Sequence, residues 1–419
     1  MMPNDKSLKP FFVLWTGQAI SLLGSQLVQF ALIWWLTQTT GSATVLALAS
    51  LAGMLPNVVL GPFVGVLIDR WNRRLTLMAA DSVVALATIV LAYLFWADVV
   101  QIWHVFVILF VRSLGGGFHR PAMQASTSLM VPEAQLTRIQ GLNQALNGGM
   151  NIASAPLGAL LLGVLPIQGI LAIDVVTAVF AIGPLFFIAV PQPKKKAQSP
   201  DDKSSFWADM EAGLRYVKGW PAILVLMGMS MMINLVLSPT FSLIPLLVTD
   251  HFGGDAMQLG FLDAAAGAGI VTGGLLLGAW GGFKRRIVTS LTGLIGIGVG
   301  TLLIGFAPVD AFFMAVIGAV LVGSMLSLAN GPIMAIFQAC IEPEMQGRVF
   351  TLLTSLASGM APLGLVIAGP AADMLGVQAW FIVGGFVTLL MGLIGFMLPM
   401  LLRVEDGRIS SQLVTAVAD

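Results

Sequence analysis

The sequence predicts an all-α integral membrane protein, with twelve transmembrane helices arranged as two six-helix pseudo-symmetric bundles. Three observations carry that expectation. Hydrophobic residues make up 57% of the chain and charged residues 10%, with a mean hydropathy of +0.93; soluble globular chains carry roughly 25% charged residues. Apolar runs of the roughly 20 residues needed to cross a bilayer recur along the 419 residues. Lys and Arg gather at alternate connections, as they do on the cytoplasmic side of membrane proteins.

In the first half the apolar runs fall at 11–37, 44–68, 75–97, 102–119, 138–163 and 167–190. The first follows Lys6 and Lys9 and lacks a small-residue cleavage site, so it reads as a retained span and not a signal peptide. The hydrophilic stretch PQPKKKAQSPDDKSSFWADMEAGLRYVKGW then interrupts the pattern. Six more runs follow at 221–249, 257–281, 287–307, 311–339, 348–372 and 378–402. The expected organisation is a first bundle over 1–190, a cytoplasmic linker over 191–220, a second bundle over 221–402 and a cytoplasmic tail over 403–419. No ten-residue alternating pattern suggests a barrel, and an open sheet in lipid would leave backbone groups unpaired.

Basic residues set the orientation. Lys6 and Lys9, Arg70, Arg73 and Arg74, Arg120 and Arg138, the linker bases, Lys284 to Arg286, Arg348, and Arg403 with Arg408 occupy the termini and alternate connections, which places both termini in the cytoplasm of a bacterial inner membrane. The base left over, Arg112, lies within a span. Twenty Lys+Arg balance twenty Asp+Glu, so net charge indicates no nucleic-acid partner. The single cysteine, Cys340, forms no internal disulfide and reads as helix packing.

An internal repeat supports the six-plus-six count. Gly61 to Arg74, GPFVGVLIDRWNRR, aligns with Gly273 to Arg286, GGLLLGAWGGFKRR, each joining the second and third spans of its half. Pro121 and Pro132, read as the fourth-to-fifth connection, match Pro332 and Pro343, read as the tenth-to-eleventh. Parallel repeats of this kind belong to proteins that rock around a midplane site.

The segment Gly61, Gly65, Asp69, Arg70, Arg73, Arg74 resembles the major facilitator loop motif G-x-x-x-D-R-x-G-R-R, with Asn72 in place of the usual glycine and Gly281 in place of the acid in the second copy. The resemblance implies a gate resting on Asp69, where an acid among arginines switches partners. The bland reading is topological positive charge. Arg112-Ser-Leu-Gly115-Gly116 is similar to the fourth-helix R-x-x-x-G motif of drug/proton antiporters, and an arginine within a span almost always faces a cavity or a partner. Pro156 with Gly158, echoed by Pro362 with Gly364, is similar to the helix-bending antiporter motif of the fifth span. WTGQAISLLGS, TQTTGSATVLALASL, FVRSLGGGFHRPA, LAIDVV and LLGAWGGF extend the resemblance to Mef-type macrolide exporters over nearly the whole chain. It implies efflux of macrolides or similar bulky amphipathic compounds by alternating access with proton antiport. A siderophore or other metabolite exporter of the same fold stays open, and a non-transporting receptor is the reading from another class.

The residues suggest a polar cavity. Gln18, Ser21, Ser25 and Gln29 share one face of the first span, and Asn143, Asn147 and Asn151 recur at fours in the fifth. Asn330, Met334 and Gln338 stripe the tenth, and Asn234 and Phe241 follow a methionine-rich run in the seventh, whose flexible thioethers suit bulky apolar cargo. Interhelical hydrogen bonds, worth about 0.6–2 kcal/mol each, are the alternative use of these side chains.

No nucleotide-binding G-x-x-x-x-G-K-[ST] loop occurs, so the energy source expected is an ion gradient, with no cofactor. The acids within spans are Asp81, Asp263 and Asp174, the last read as lying near a solvated outer end; each is a candidate proton carrier beside Arg112. The histidines, His104, His119 and His251, form no metal-ligand spacing and read mainly as loop or interface residues, with a proton-titrating role for His104 or His119 as the alternative, so no metal and no enzyme chemistry is expected. The expected partners are a small amphipathic substrate and the lipid bilayer, and the two-half architecture needs no second chain.

Overall fold

The computed structural model describes residues 8–192 and 206–406. Among them the chain is helical without strands, and twelve helices are long and apolar enough to cross a membrane. The first six are α1 (Lys9–Thr40), α2 (Ala43–Arg70), α3 (Arg73–Trp96), α4 (Ile102–Met130), α5 (Glu133–Val164) and α6 (Ile167–Phe187). The linker contains a helix that its polarity had hidden, α7 (Phe206–Lys218). Leu214, Tyr216 and Val217 of α7 join an apolar cluster with the helices that follow.

The second six spans are α8 (Pro221–Ser242), α10 (Ala256–Trp280), α11 (Arg286–Gly305), α12 (Phe312–Cys340), α13 (Pro343–Leu375) and α14 (Val377–Met397). Between α8 and α10 lie the one-turn α9 (Ile244–Leu246) and a π-helical turn, Leu247–His251. The seventh span therefore ends before the expected residue 249, where Pro239 and Pro245 withhold backbone donors from the helix ladder. The one-turn α15 (Pro399–Leu402) closes the helical part.

Local chemistry fixes the ends. Ser42 Oγ accepts from the Val45 amide at the start of α2, and Asn72 Oδ1 accepts from the Leu75 amide at the start of α3. Asn72, which stands where the loop motif has glycine, is thus a helix cap. Asp255 and Gln258 bond reciprocally at the head of α10, and Gly41 ends α1 at φ +55°, where a side chain would be strained.

Two expected boundaries are corrected. Pro121 lies inside α4 and Pro332 inside α12, not in connections, whereas Pro132 caps α5 and Pro343 begins α13. Arg120 and Arg138 are accordingly helical. Hydropathy drops where a helix leaves hydrocarbon, but the helix goes on: 29 residues at about 1.5 Å each span about 43 Å, against about 30 Å of hydrocarbon.

The chain divides into two compact units, residues 1–198 with 255–260 and residues 199–254 with 261–419. Within each, the same spans meet. First against sixth, third against fourth, third against sixth and first against fifth are α1·α6, α3·α4, α3·α6 and α1·α5 in one unit, and α8·α14, α11·α12, α11·α14 and α8·α13 in the other. Glycines set the closest approaches. A Cβ on Gly158 would lie 2.8 Å from the Phe30 ring, and one on Gly364 would collide with the Leu235 carbonyl, so the glycine two residues after the helix-interior proline, Pro156 or Pro362, seats the fifth span of each half on the first.

Candidate functional site: two polar layers in the first bundle

The bundle of α1, α3, α4 and α6 is tied by two side-chain clusters. Each of α1, α3 and α4 contributes one residue to either cluster, seven positions apart: Gln18 and Ser25, Asp81 and Thr88, His119 and Arg112. Seven residues are about two helical turns, so the clusters lie on one face about 10 Å apart along the helices.

The first cluster is sealed. Arg112 Nη1 is 2.6 Å from Asp174 Oδ2, and their side chains are 8% and 2% exposed. Thr88 donates to the same carboxylate oxygen at 2.9 Å and accepts from Arg112, while Ser25 donates to Oδ1 at 3.0 Å. Arg112 Nη2 reaches the Ser25 carbonyl at 3.4 Å. Every contact to the Asp174 carboxylate is a donor, as a buried anion requires. The expectation that Asp174 is solvated near a helix end is corrected: it lies in the body of α6 and is buried by α1, α3 and α4.

In the second cluster Gln18 Nε2 donates to Asp81 Oδ2 at 2.9 Å. His119 Nε2 lies 2.8 Å from Gln18 Oε1 and 3.4 Å from Asp81 Oδ1. His119 and Asp81 side chains keep 21% and 12% exposure. Gly115 lets α4 approach α3 between the two clusters, since a Cβ there would lie 3.1 Å from the Ala80 carbonyl; Gly117 faces Asn57 of α2 instead, and Gly116 meets open space.

Other expected cavity residues divide. Asn143 accepts from Trp15 Nε1 at 2.7 Å, and Ser21 is half-buried. Gln29, Asn147, Asn151, Met334, Phe241 and Gln338 are exposed. Asn234 and Asn330 meet at a cavity of about 110 Å³ between α8, α11 and α12, with Met229 and Ser290 in its wall. Asp263 of α10 is half-buried and makes no hydrogen bond or ion pair among the described residues. Among those residues no group of three His, Cys, Asp or Glu could hold a metal.

The loop motif is seen in part. Gly65 and the side chains of Asp69 and Arg70 lie outside the described residues, and Gly61 meets open space. Arg73 Nη1 donates to the Ala125 carbonyl of α4 at 2.6 Å, and Arg74 to the Leu185 and Phe186 carbonyls at the end of α6. The second copy repeats this: Arg286 meets the Ala335 carbonyl of α12 at 3.5 Å, and Arg285 the Leu402 carbonyl at 2.6 Å, just after the sixth span of its half. In both halves one arginine ties the third span to the fourth, and the other reaches the end of the sixth span in the first half and α15, beyond the sixth span, in the second.

The family model described as transmembrane secretion effector matches residues 6–416. This chain belongs to the transmembrane secretion effector family. Within reach of that family's name stands Macrolide efflux protein A of Streptococcus pyogenes, 36% identical over 382 residues, covering 91% of this chain and 94% of that protein. Multidrug efflux pump Tap of Mycolicibacterium fortuitum is 27% identical, covering 91% and 94%. Among solved structures, a bacterial homologue of the iron transporter ferroportin in its inward-facing state superposes with a TM-score of 0.73 at 16% identity, covering 95% of this chain and 99% of that one. The fold is that of the major facilitator transporters, and this secretion effector is a multi-pass efflux transporter with twelve spans.

Sequence reasoning set a proton-titrating role for His119 behind loop or interface placement, and passed over Thr88, which a span gives no reason to single out. The signal available was the seven-residue register: His119 follows Arg112 by the interval that separates Asp81 from Thr88 and Gln18 from Ser25.

Proposed function

We propose that this chain exports macrolides or similarly bulky amphipathic molecules across the bacterial cytoplasmic membrane by alternating access, in exchange for protons. The observation that carries the substrate reading is the 36% identity, over nine-tenths of the chain, to a protein named for macrolide efflux. A carboxylate beside a histidine inside the first bundle, Asp81 with His119, supports proton exchange, because protonation changes which partners such groups hold. In this reading the six-helix halves, 1–190 and 221–402, are the moving bodies, joined by 191–220; both termini face the cytoplasm, the monomer suffices and no cofactor takes part. Asp69 and Arg70 act at the gate, with Arg73 and Arg74 anchoring its helix. Asn234 and Asn330, in a wall of aliphatic side chains and Met229, offer hydrogen bonds to a weakly polar ligand.

The test is erythromycin accumulation in pump-deficient cells expressing the chain, with and without a protonophore, beside a siderophore-export assay. Low accumulation that rises when the gradient collapses is the expected result. Unchanged accumulation with protein present in the membrane overturns the macrolide reading, and siderophore export would then replace it.

A further inference from the structure

The two polar layers differ in what they offer a proton. A site that loads and releases protons must be reached by water and must have partners for both forms of the titrating group. The Arg112 and Asp174 layer meets neither condition. Its side chains are 8% and 2% exposed, and protonating Asp174 would take away the carboxylate paired with Arg112 and leave a lone buried cation.

The other layer meets both. We infer that Gln18, Asp81 and His119 together form the proton-loading site of this exporter, and that the Arg112 and Asp174 pair holds the bundle beneath it without carrying the proton. The inference rests on the proposed proton exchange and names its site.

Gln18 is the residue that makes the site two-way, because its amide has a donor end and an acceptor end. With Asp81 ionised and His119 in its Nε2–H tautomer, His119 donates to Gln18 Oε1 and Gln18 Nε2 donates to Asp81. One proton from water can add at His119 Nδ1, giving an imidazolium beside the carboxylate. It can instead add to Asp81, whereupon the amide turns over: the carboxyl O–H donates to Gln18 Oε1, and Gln18 Nε2 donates to a His119 whose hydrogen has moved to Nδ1. Either way one proton is taken up and the net charge of the cluster goes from −1 to 0, which removes a charge from a site of low polarity.

No other ionisable group crowds it. On α1, Lys9 is the sole charge and lies at the helix start. On α3, Arg73 and Arg74 are bound to carbonyls of α4 and α6. On α4, Arg120 is exposed, Arg112 is two turns deeper and His104 caps the far end. Asp174 is the one ionisable residue of α6 and belongs to the deeper layer. Among the polar groups of α2 and α5, Asn57 and Asn143 are bonded to Ser113 and Trp15; Asp69 and Arg70, Glu133 and Arg138 belong near those helices' ends.

The experiment uses purified full-length protein in proteoliposomes with an imposed pH gradient, radiolabelled erythromycin and a pH-sensitive dye. The wild type is expected to accumulate drug and move protons. Asp81→Asn and His119→Asn, each monodisperse on size exclusion, should lose both, and Asp81→Glu should restore them. Wild-type behaviour of Asp81→Asn and His119→Asn overturns the inference and leaves the exporter reading intact; drug accumulation by the wild type without proton movement overturns inference and proton exchange together. Infrared difference spectra on acidification need no substrate. The wild-type spectrum should contain a titrating carboxyl component that is missing from Asp81→Asn and a titrating imidazole component that is missing from His119→Asn, and spectra unchanged in both variants overturn the inference whatever the substrate is.

Discussion

Arg112 and Asp174 hold each other where water does not reach, so removing one leaves a bare charge in the bundle. Breaking a buried pair from one side typically costs about 3–5 kcal/mol, whereas neutralising both partners costs far less. Arg112→Gln and Asp174→Asn should each lower the thermal stability of the detergent-purified protein by that order, and the double variant Arg112→Gln with Asp174→Asn should be more stable than either single variant. Additive losses in the double variant would show the pair to be uncoupled. The arginine was legible in the sequence because a cation in an apolar run is conspicuous. Its partner was not, since a sequence places Asp174 along a helix but not by depth in a bundle. The structure thereby changes how an Arg112→Ala phenotype is read: lost efflux in that variant reports lost stability before it reports a gate.

At the scale of helices, hydropathy located every span but misjudged those that run past the hydrocarbon, as α4 and α13 do, because the bilayer acts on polarity while the helix is held by its own hydrogen bonds. What hydropathy could not assign was the role of the glycines. Gly323 of α12 has the Ala266 carbonyl of α10 2.1 Å from where a Cβ would lie, and α10 returns the contact, with Gly269 against Val320. Gly228 of α8 has nothing within 4 Å. The same substitution should therefore act with opposite signs. Gly323→Ala must push two backbones apart and is expected to lower the melting temperature. Gly228→Ala gains helix propensity of up to about 1 kcal/mol and should hold or raise it. Equal effects in thermal unfolding would mean that backbone contact does not govern this packing.

For the whole molecule, the count of spans and the alternation of charge make one claim together. The α2–α3 and α10–α11 connections carry arginines that bind the carbonyls of neighbouring helices, whereas the α3–α4 and α11–α12 connections carry no Lys or Arg. If the bilayer sorts these by the positive-inside rule, the basic connections stay in the cytoplasm. The native Cys340 is buried, so a Cys340→Ala background gives a clean surface for single cysteines. Val99 and Val309 lie in the connections without Lys or Arg and Trp71 and Lys284 in the basic ones, all four exposed. A membrane-impermeant maleimide added to intact cells should label Val99→Cys and Val309→Cys at once, and Trp71→Cys and Lys284→Cys after permeabilisation. The inverse pattern would place the basic connections outside, and a mixed pattern would break the even span count on which both the orientation and the six-plus-six repeat depend.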